Sequence, residues 1–396
     1  MAYSYPVKWI TNTMRGAPQI SGTAGTFIGA LDAFLLTGWG TATATSVSIS
    51  GGVGTAIFPE GTYFEEHAVV LFAGATTPAA LNGEARVLSR TNNSITFETN
   101  APDGVATTGT AITVKYAPVG SWAKPFQGAN LAAYKSSDVQ SSGFTLRVDD
   151  TGTMTARLVG YESMTDINTG SGAFPTAAVI PGGGTFHKSN VASAAAVRYL
   201  LVADSRAMLW AVEPGTASNS AYRSSNVRGF GEGLALSPSG DPWSTFLSCP
   251  VGVNTFNNGA LSGGPESSSG GFTVCARGFS GLGTAVYLSA SPFTGASAGV
   301  SGADVLLGSA PSPVDGKVRL SRLYLRTTVN QDGPRALVPG VAYVPHSGML
   351  SLCSPGDVLP GSGDWIGRRL MAVGISSVLA AAPTGIAFID ISGPWR

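Results

Sequence analysis

Charged residues are scarce in this chain, and the two signs are balanced. Asp, Glu, Lys and Arg make up only 12% of the 396 residues, against about 25% in an ordinary globular protein. The 23 basic and 23 acidic residues give a formal net charge of zero. Such a composition provides no basic face for a nucleic acid or an anionic membrane surface. We therefore expect no nucleic-acid partner.

Cysteine and histidine are too few and too widely spaced to indicate a metal site or a disulfide framework. No C-x-x-C pair occurs among the three cysteines, which are Cys249, Cys275 and Cys353. We interpret them as small buried side chains rather than disulfide partners or zinc ligands. The three histidines, His67, His187 and His346, are scattered along the chain. No His/Cys cluster has metal-ligand spacing, so we expect no metal and no cofactor.

Long apolar runs are also missing. The nearest candidate for a membrane span, residues 191–212, is interrupted by Arg198, Asp204 and Arg206, whereas a span needs about 18 or more uncharged apolar residues. Residues 1–18 lack the basic segment and apolar run of a secretory signal peptide. These absences predict cytoplasmic synthesis and no membrane insertion.

Small residues and turn formers take the place of charge. The chain contains 53 Gly and 24 Pro, which helices tolerate poorly. The hydrophobic fraction of 43% is ordinary. The length exceeds the roughly 250 to 300 residues at which a single core stops growing, so we expect two or three domains.

One segment has helical periodicity. In residues 26–37 the apolar side chains of Phe27, Leu31, Phe34 and Leu35 recur on one face. Thr26 is placed to cap this helix and Gly38 to end it. The apolar stripe is expected to be buried against the chain's own β-structure or a neighbouring subunit.

The remainder of the sequence predicts β-strands separated by turns. Six strands are expected in one small β-sandwich or barrel module: 46–49, 55–58, 68–72, 85–88, 94–98 and 111–116. Further strands are expected in two hairpins, 144–149 with 153–161 and 199–202 with 208–212, and near the C-terminal end at 318–328, 341–344, 369–375 and 385–391.

The predicted fold class is therefore mainly β, with multidomain β-sandwich or barrel modules and one short N-terminal helix. The predicted division is an N-terminal arm and helix (1–43), a small β-module (44–120) and a larger β-rich part (121–396). The glycine-rich run at 181–184 marks a boundary near 181–190 or a long loop. Segments 214–225 and 254–271 are polar, low-complexity loops.

Two short motifs resemble catalytic signatures. Asp150-Thr151-Gly152 matches aspartic proteases, but that chemistry needs two such loops, and the sequence contains one. We interpret Asp150 as a surface turn residue whose replacement by Asn changes stability by about 1 kcal/mol or less. A G-x-S-x-G sequence centred on Ser297 lies upstream of His346, but Pro and Gly flank it where a nucleophile elbow needs a helix. We interpret it as a loop.

Three further features have plain structural interpretations. Glu65-Glu66-His67 is expected to be a solvated strand edge rather than a metal site, because adjacent strand residues face opposite sides. The run 229–233 has no phosphate-loop spacing and is expected to be a turn. The seven tryptophans are expected to be core or interface anchors rather than a sugar-binding platform. The sequence therefore predicts no catalytic, cofactor-binding or metal-ligating residue.

Several segments, taken in order, carry a resemblance to one family. They are residues 7–18 (VKWITNTMRGAP), 25–38, 79–84 (AALNGE), 146–152 (LRVDDTG), 156–162 (ARLVGYE), 187–190 (HKSN), 202–206 (VADSR), 361–363 (GSG) and 389–396 (IDISGPWR). In these the chain resembles poorly characterised virion structural proteins of tailed bacteriophages. The similarity runs nearly end to end, with departures concentrated in 215–271.

The resemblance implies a non-enzymatic structural subunit of the virion, made in the host cytoplasm. The implied place is the tail, baseplate or tail tip, with copies of itself and other tail proteins as partners. Low charge and an excess of Arg over Lys, 17 to 6, agree with extensive subunit contacts. The loops 214–225 and 254–271 are then expected to be mobile in the free protein and ordered in the particle.

Two alternatives remain open at this point. One is an exposed receptor-binding or decoration protein that recognises cell-surface glycan through loops such as 254–271. The other is a depolymerase or peptidase of the same particle.

Overall fold

The structure, a computed structural model, describes residues 5–59, 61, 64–216, 225–237, 245–248, 260–262, 274–277, 285–292, 307–327, 334–376, 379 and 381–396. Within these residues the fold is mainly β, with several sheets and one short α-helix. The predicted fold class, multidomain β-sandwich or barrel modules, is confirmed. Residues 217–224, 254–259 and 263–271, which include most of the two predicted polar loops, lie outside the described part. The predicted loop is wrong at residues 214–216, which end a strand over residues 207–216.

The N-terminal segment forms a strand and the helix. Strand β1 is Lys8–Thr11 and helix α1 is Thr26–Asp32, continued by a π-helical turn, Ala33–Thr37. The helix ends at Gly38, whose φ of 73° suits glycine. The prediction of a helix over 26–37 is confirmed, and its four stripe residues are buried.

The capping prediction for Thr26 is wrong. The residue before the helix, Gly25, has a left-handed φ of 79° and no side chain to cap with. The Thr26 hydroxyl donates to the carbonyl oxygens of Ser21 (3.1 Å) and Thr23 (2.9 Å) instead. The free amides of the first helical turn therefore need an acceptor from another part of the chain.

An eight-stranded antiparallel sheet follows the helix. Its strands are β2 (Trp39–Ala44), β3 (Ser46–Ser50), β4 (Val53–Ile57), β5 (Val69–Thr77), β6 (Gly83–Arg90), β7 (Ser94–Glu98), β8 (Gly104–Val105) and β9 (Thr107–Tyr116), in the order β2-β9-β5-β6-β7-β4-β3-β8. A 3₁₀ turn, Ala79–Leu81, precedes β6. All six strands predicted in this region are confirmed; β2 and β8 were not predicted.

A five-stranded antiparallel sheet comes next. In chain order the strands are β10 (Trp122–Gly128), β11 (Leu131–Ser136), β12 (Thr145–Asp149), β13 (Thr155–Tyr161), the short pair β14 (Ser163–Met164) and β15 (Gly170–Ser171), and β16 (Gly184–His187). The sheet order is β10-β11-β12-β13-β16, with β14 and β15 paired separately. The predicted first hairpin is β12–β13, and the run 181–184 leads into β16 inside this sheet.

The C-terminal half contributes most of a 13-stranded sheet. Its strands after β1 are β17 (Val197–Ala203), β18 (Ala207–Thr216), β19 (Arg228–Glu232), β20 (Leu234–Ala235), β21 (Thr245–Ser248), β22 (Val274–Arg277), β23 (Ala285–Pro292), β24 (Ser321–Thr327), β25 (Pro334–Tyr343), β26 (Val358–Pro360), β27 (Arg369–Ile375) and β28 (Gly385–Asp390). Two 3₁₀ turns, Met349–Ser351 and Gly363–Trp365, flank β26. The order is β1-β17-β18-β19-β21-β22-β23-β24-β25-β28-β27-β26, with β20 on β25. The predicted second hairpin and C-terminal strands are confirmed.

The helix lies where the three large sheets meet. Phe27 packs against Phe186 of the five-stranded sheet and Trp210 of the 13-stranded sheet, at ring-centroid distances of 4.8 and 6.1 Å. Phe34 packs 6.3 Å from Trp39 of the eight-stranded sheet. One cluster of buried apolar side chains includes residues of all three sheets. The division of the chain at 43/44, at 120/121 and near 181–190 stays a prediction.

Candidate functional sites

Asp150, the centre of the protease-like motif, is fully buried. One carboxylate oxygen, Oδ2, accepts hydrogen bonds from the amides of Phe27 (2.8 Å) and Ile28 (3.3 Å). The other, Oδ1, forms an ion pair with the ammonium of Lys188, which is also fully buried. The prediction that Asp150 is a surface turn residue is therefore wrong. The turn is made by Asp149, whose Oδ1 accepts from the amide and hydroxyl of Thr151.

This pair serves to hold the helix. A carboxylate at a helix N-terminus satisfies free amides and interacts favourably with the helix dipole. Burial raises the pKa of Asp150, while the hydrogen bond and charge of Lys188 and the two amides lower it. The Lys188 ammonium also donates to the carbonyl oxygen of Thr23 at 2.6 Å. Each partner is thus hydrogen-bonded at a fully buried position.

The Glu65-Glu66-His67 sequence forms a turn before β5, not the solvated strand edge that was predicted. His67 has φ +67°, a left-handed conformation that strand geometry excludes. Glu65 and His67 are half-buried, whereas Glu66 is exposed. The Glu65 carboxylate lies 3.1 Å from the guanidinium of Arg90, and its amide donates to the Tyr116 hydroxyl at 3.0 Å.

Glu65, Glu66 and His67 line a cleft of about 550 Å³, here called the polar cleft. Its other walls come from β1, Arg90, β26 and β27. Burial raises the pKa of Glu65, opposed by Arg90. Burial also lowers the pKa of His67, with help from Arg369. Among the described residues no group of three or more His, Cys, Asp or Glu side chains is arranged to hold a metal ion.

A second cleft of about 290 Å³ adjoins the polar cleft and shares Thr11, Thr13, Gly356 and Met371 with it. The Arg198 guanidinium lies here, 3.9 Å from the carboxylate of Glu213. The two clefts together make a groove along β1 that offers hydroxyl, carboxylate and guanidinium groups. These few polar groups lie within a mostly apolar lining, a combination that is common in ligand pockets.

A different groove, of about 790 Å³, lies at the β26 end of the 13-stranded sheet. We call it the apolar groove. Its floor is buried and apolar, formed by Met349, Cys353, Leu370 and Phe388. Its two walls are the segments 315–320 and 359–365.

Large apolar side chains in and beside the apolar groove are exposed to an unusual degree. They are Val314 (90%), Leu350 (41%), Leu352 (46%), Leu359 (38%) and Ile366 (78%). Leu352 and Leu359 line the groove, and each of the other three directly follows or precedes a lining residue in the sequence. None of these residues was predicted as a site, although the pattern Met349-Leu350-Ser351-Leu352, outside any strand, was a signal.

The remaining motifs are placed as follows. Ser297 lies outside the described residues. His346 is fully buried, and its Nε2 accepts from the amide of Arg319 at 3.0 Å. The predicted turn at 229–233 is wrong, because residues 229–232 lie in β19. Gly229 is needed there, since a side chain would meet Leu209 and the carbonyl oxygen of Met208 within 2.8 Å.

The predictions that the tryptophans and cysteines are buried are confirmed for most of the side chains that the structure describes. Five tryptophans are buried, namely Trp9, Trp39, Trp122, Trp210 and Trp395. Trp365 is partly buried in a wall of the apolar groove, and Trp243 lies outside the described residues. Cys353 is buried with a free thiol whose pKa is raised by burial. Cys249 lies outside the described residues, and nothing is described of the Cys275 side chain.

No helix among the described residues is long and apolar enough to cross a membrane. Compared with known proteins, the chain matches no family model and no curated protein.

Proposed function

We propose that this protein is a non-enzymatic structural subunit of a tailed-bacteriophage virion. It assembles in multiple copies in the tail, baseplate or tail tip, with copies of itself and other tail proteins as partners. The observation that carries the proposal is the apolar groove with its exposed aliphatic side chains.

An apolar surface of this kind is unfavourable in a free monomer. Each Å² of apolar surface removed from water contributes about 25 cal/mol to stability. Exposed apolar side chains gathered at a groove are therefore typical of an interaction site. The exposure of Ile366 and Val314, 78% and 90%, is relieved when another subunit covers them.

The few charged residues support a mechanical role, because several link distant parts of the chain internally. Asp150 joins Lys188 and the helix. Asp204 accepts from the guanidinium Nε of Arg396 at 2.7 Å, and its side chain is 3% exposed. Such links fix the helix to the five-stranded sheet and the last residue to the turn between β17 and β18, which suits a subunit that transmits load. The resemblance to phage virion proteins supports the location.

Immunogold labelling of purified particles tests the proposal. Antibody against the full chain should label a defined place on the tail of the phage that encodes it. Particles that stay unlabelled, while the same antibody detects the protein in infected-cell lysate, would contradict the proposal. A matched phage that lacks the coding sequence provides the control for specificity. Its particles should stay unlabelled, and complementation in trans should restore the label.

The polar cleft favours a second candidate function, recognition of a cell-surface glycan. Carboxylate, guanidinium and hydroxyl groups from Glu66, Arg90 and Thr13 line it, and these groups pair with saccharide hydroxyls. Binding of the full chain to a glycan array, reduced in Glu66→Gln and unchanged in the distant variant Asp166→Asn, is the expected result. An array without any bound glycan would remove this candidate.

A further inference from the structure

We infer that the apolar groove is a self-docking surface, on which a second copy of this chain binds about a two-fold axis that runs along the groove. The inference rests on the proposed function, since it names the surface through which copies meet. The shape and charge of the groove indicate the partner.

The shape provides both halves of a reciprocal contact. Ile366 projects from the tight loop between β26 and β27, in which the amide of Gly361 donates to the carbonyl oxygen of Arg368 at 3.0 Å. The groove beside it has an apolar floor and half-exposed walls, including Leu352 and Leu359. A two-fold axis presents the projecting side chain of each copy to the groove of the other, so the same contact forms twice.

The charges on the two walls are complementary. On one wall Asp315 and Arg319 already pair with each other at 2.7 and 3.2 Å. Lys317 on that wall and Asp364 on the other form no ion pair with any residue the structure describes. A two-fold axis along the groove brings Lys317 of each copy opposite Asp364 of the other.

The same charges argue against an acidic or basic partner. Two acidic and two basic residues, Asp315, Asp364, Lys317 and Arg319, belong to the walls. Their sum is neutral, whereas a strongly charged partner selects a face of opposite sign. A neutral face selects no charged partner, and Lys317 and Asp364, unpaired among the described residues, offer one charge of each sign to a second copy.

Side chains, rather than an extended sheet, carry this contact. Strand β26 lies at the edge of the 13-stranded sheet but has three residues and ends in Pro360. Short edge strands and edge prolines prevent pairing of backbones between molecules. The exposed aliphatic groups and the Lys317–Asp364 pairs are what remain to bind the second copy.

Sedimentation equilibrium of the full chain tests the inference. The wild-type protein should be a dimer, and Ile366→Asp should raise its dissociation constant by about tenfold or more, as expected for a buried anchor. Lys317→Glu and Asp364→Lys should each weaken the dimer through like-charge contacts. An equal mixture of these two variants should restore it, because each introduced charge then faces its opposite. Val139→Asp, at a side chain 99% exposed far along the chain, should change nothing.

Four results would overturn the inference. They are a wild-type monomer at all concentrations, an unaffected Ile366→Asp dimer, no recovery in the mixture, or a closed trimer or larger ring, which requires a heterologous contact. If Ile366→Asp lowers the melting temperature, Leu352→Asp replaces it as the decisive variant. A protein that is labelled on particles yet monomeric contradicts this inference alone; a dimer absent from particles contradicts the proposed function alone.

Discussion

Lys188 and Asp150 form an ion pair in which neither side chain is exposed to solvent. Through the second oxygen of Asp150, this pair also caps helix α1 at the amides of Phe27 and Ile28. The end of a β-hairpin thereby fixes the start of the only α-helix in the described part of the chain. Only 12% of the residues are charged, and this pair uses two of them to hold the helix to the five-stranded sheet.

Replacing Asp150 by Ala should destabilise the protein by about 3 to 5 kcal/mol, because the Lys188 charge is left buried without its partner. Thermal or denaturant unfolding of the full chain measures this. Asp166→Ala, which removes an exposed turn carboxylate, should lower the stability far less. A comparable small effect at Asp150 would mean that the buried pair contributes little to the fold.

The double variant Asp150→Leu/Lys188→Met should be more stable than Asp150→Ala, because no unpaired charge remains. It should still be less stable than the wild type, since the helix amides lose their acceptor, at about 0.5 to 2 kcal/mol. Chemical denaturation measured on all three proteins checks the order. A double variant less stable than Asp150→Ala would show that the unpaired lysine is not what destabilises Asp150→Ala.

Leu31 lies on the buried face of the helix, 1% exposed. Leu31→Ala should reduce stability by about 2 to 5 kcal/mol, through lost transfer energy and the cavity that remains. Val139→Ala, at an exposed position, serves as the matched control. An unchanged melting temperature in Leu31→Ala would refute the role of the helix as the joint between the sheets.

Arg396 should matter more than an exposed arginine in a similar ion pair. Its partner Asp204 is buried and also accepts from the amides of Arg206 and Ala207. Arg396→Ala should therefore cost about 1.5 to 3 kcal/mol, the range for a hydrogen bond to a charged group. Arg319→Ala breaks an exposed pair and should cost about 1 kcal/mol or less. Equal effects in urea unfolding would contradict this ranking.

Acid should weaken the fold through His187. Burial, assisted by Arg228, lowers the pKa of His187 below its ordinary value. The unfolded chain then binds the proton first, so this stability is present above about pH 6.5 and is lost as the pH falls. His187→Gln should reduce the dependence of the melting temperature on pH between about pH 8 and about pH 5.5. An identical pH dependence in variant and wild type would assign the effect to other groups, such as His67.

The strands and the helix were predictable because their signals are local. Alternation of apolar residues marks β12 and β13, and the spacing of Phe27, Leu31 and Phe34 marks the helix. Strand β2 was missed because its sequence, WGTATA, consists mostly of small residues. The strand at 229–232 was missed because its glycines are required by close packing against β18, which no local pattern reveals.

The sites were less predictable because they depend on contacts between distant residues. Asp150 and Thr151 form a plausible turn sequence, and only the fold places Asp150 against Lys188 and the helix. The apolar groove likewise combines the segments 315–320 and 349–365 with the floor residue Phe388. The one local signal of the apolar groove is the leucine pair Leu350 and Leu352. In a strand, alternation would have buried both side chains on one face, but here they lie outside any strand and are exposed.

The number of copies per particle tests the central claim most directly. Quantitative mass spectrometry of gradient-purified particles, washed in high salt, should find this chain in a fixed number of copies, more than one, at a constant ratio to other tail proteins. A structural subunit held by buried apolar contacts resists such washing, because salt screens charges but does not weaken apolar burial. Loss of the chain on washing, or a ratio that varies between preparations, would contradict a structural role in the virion.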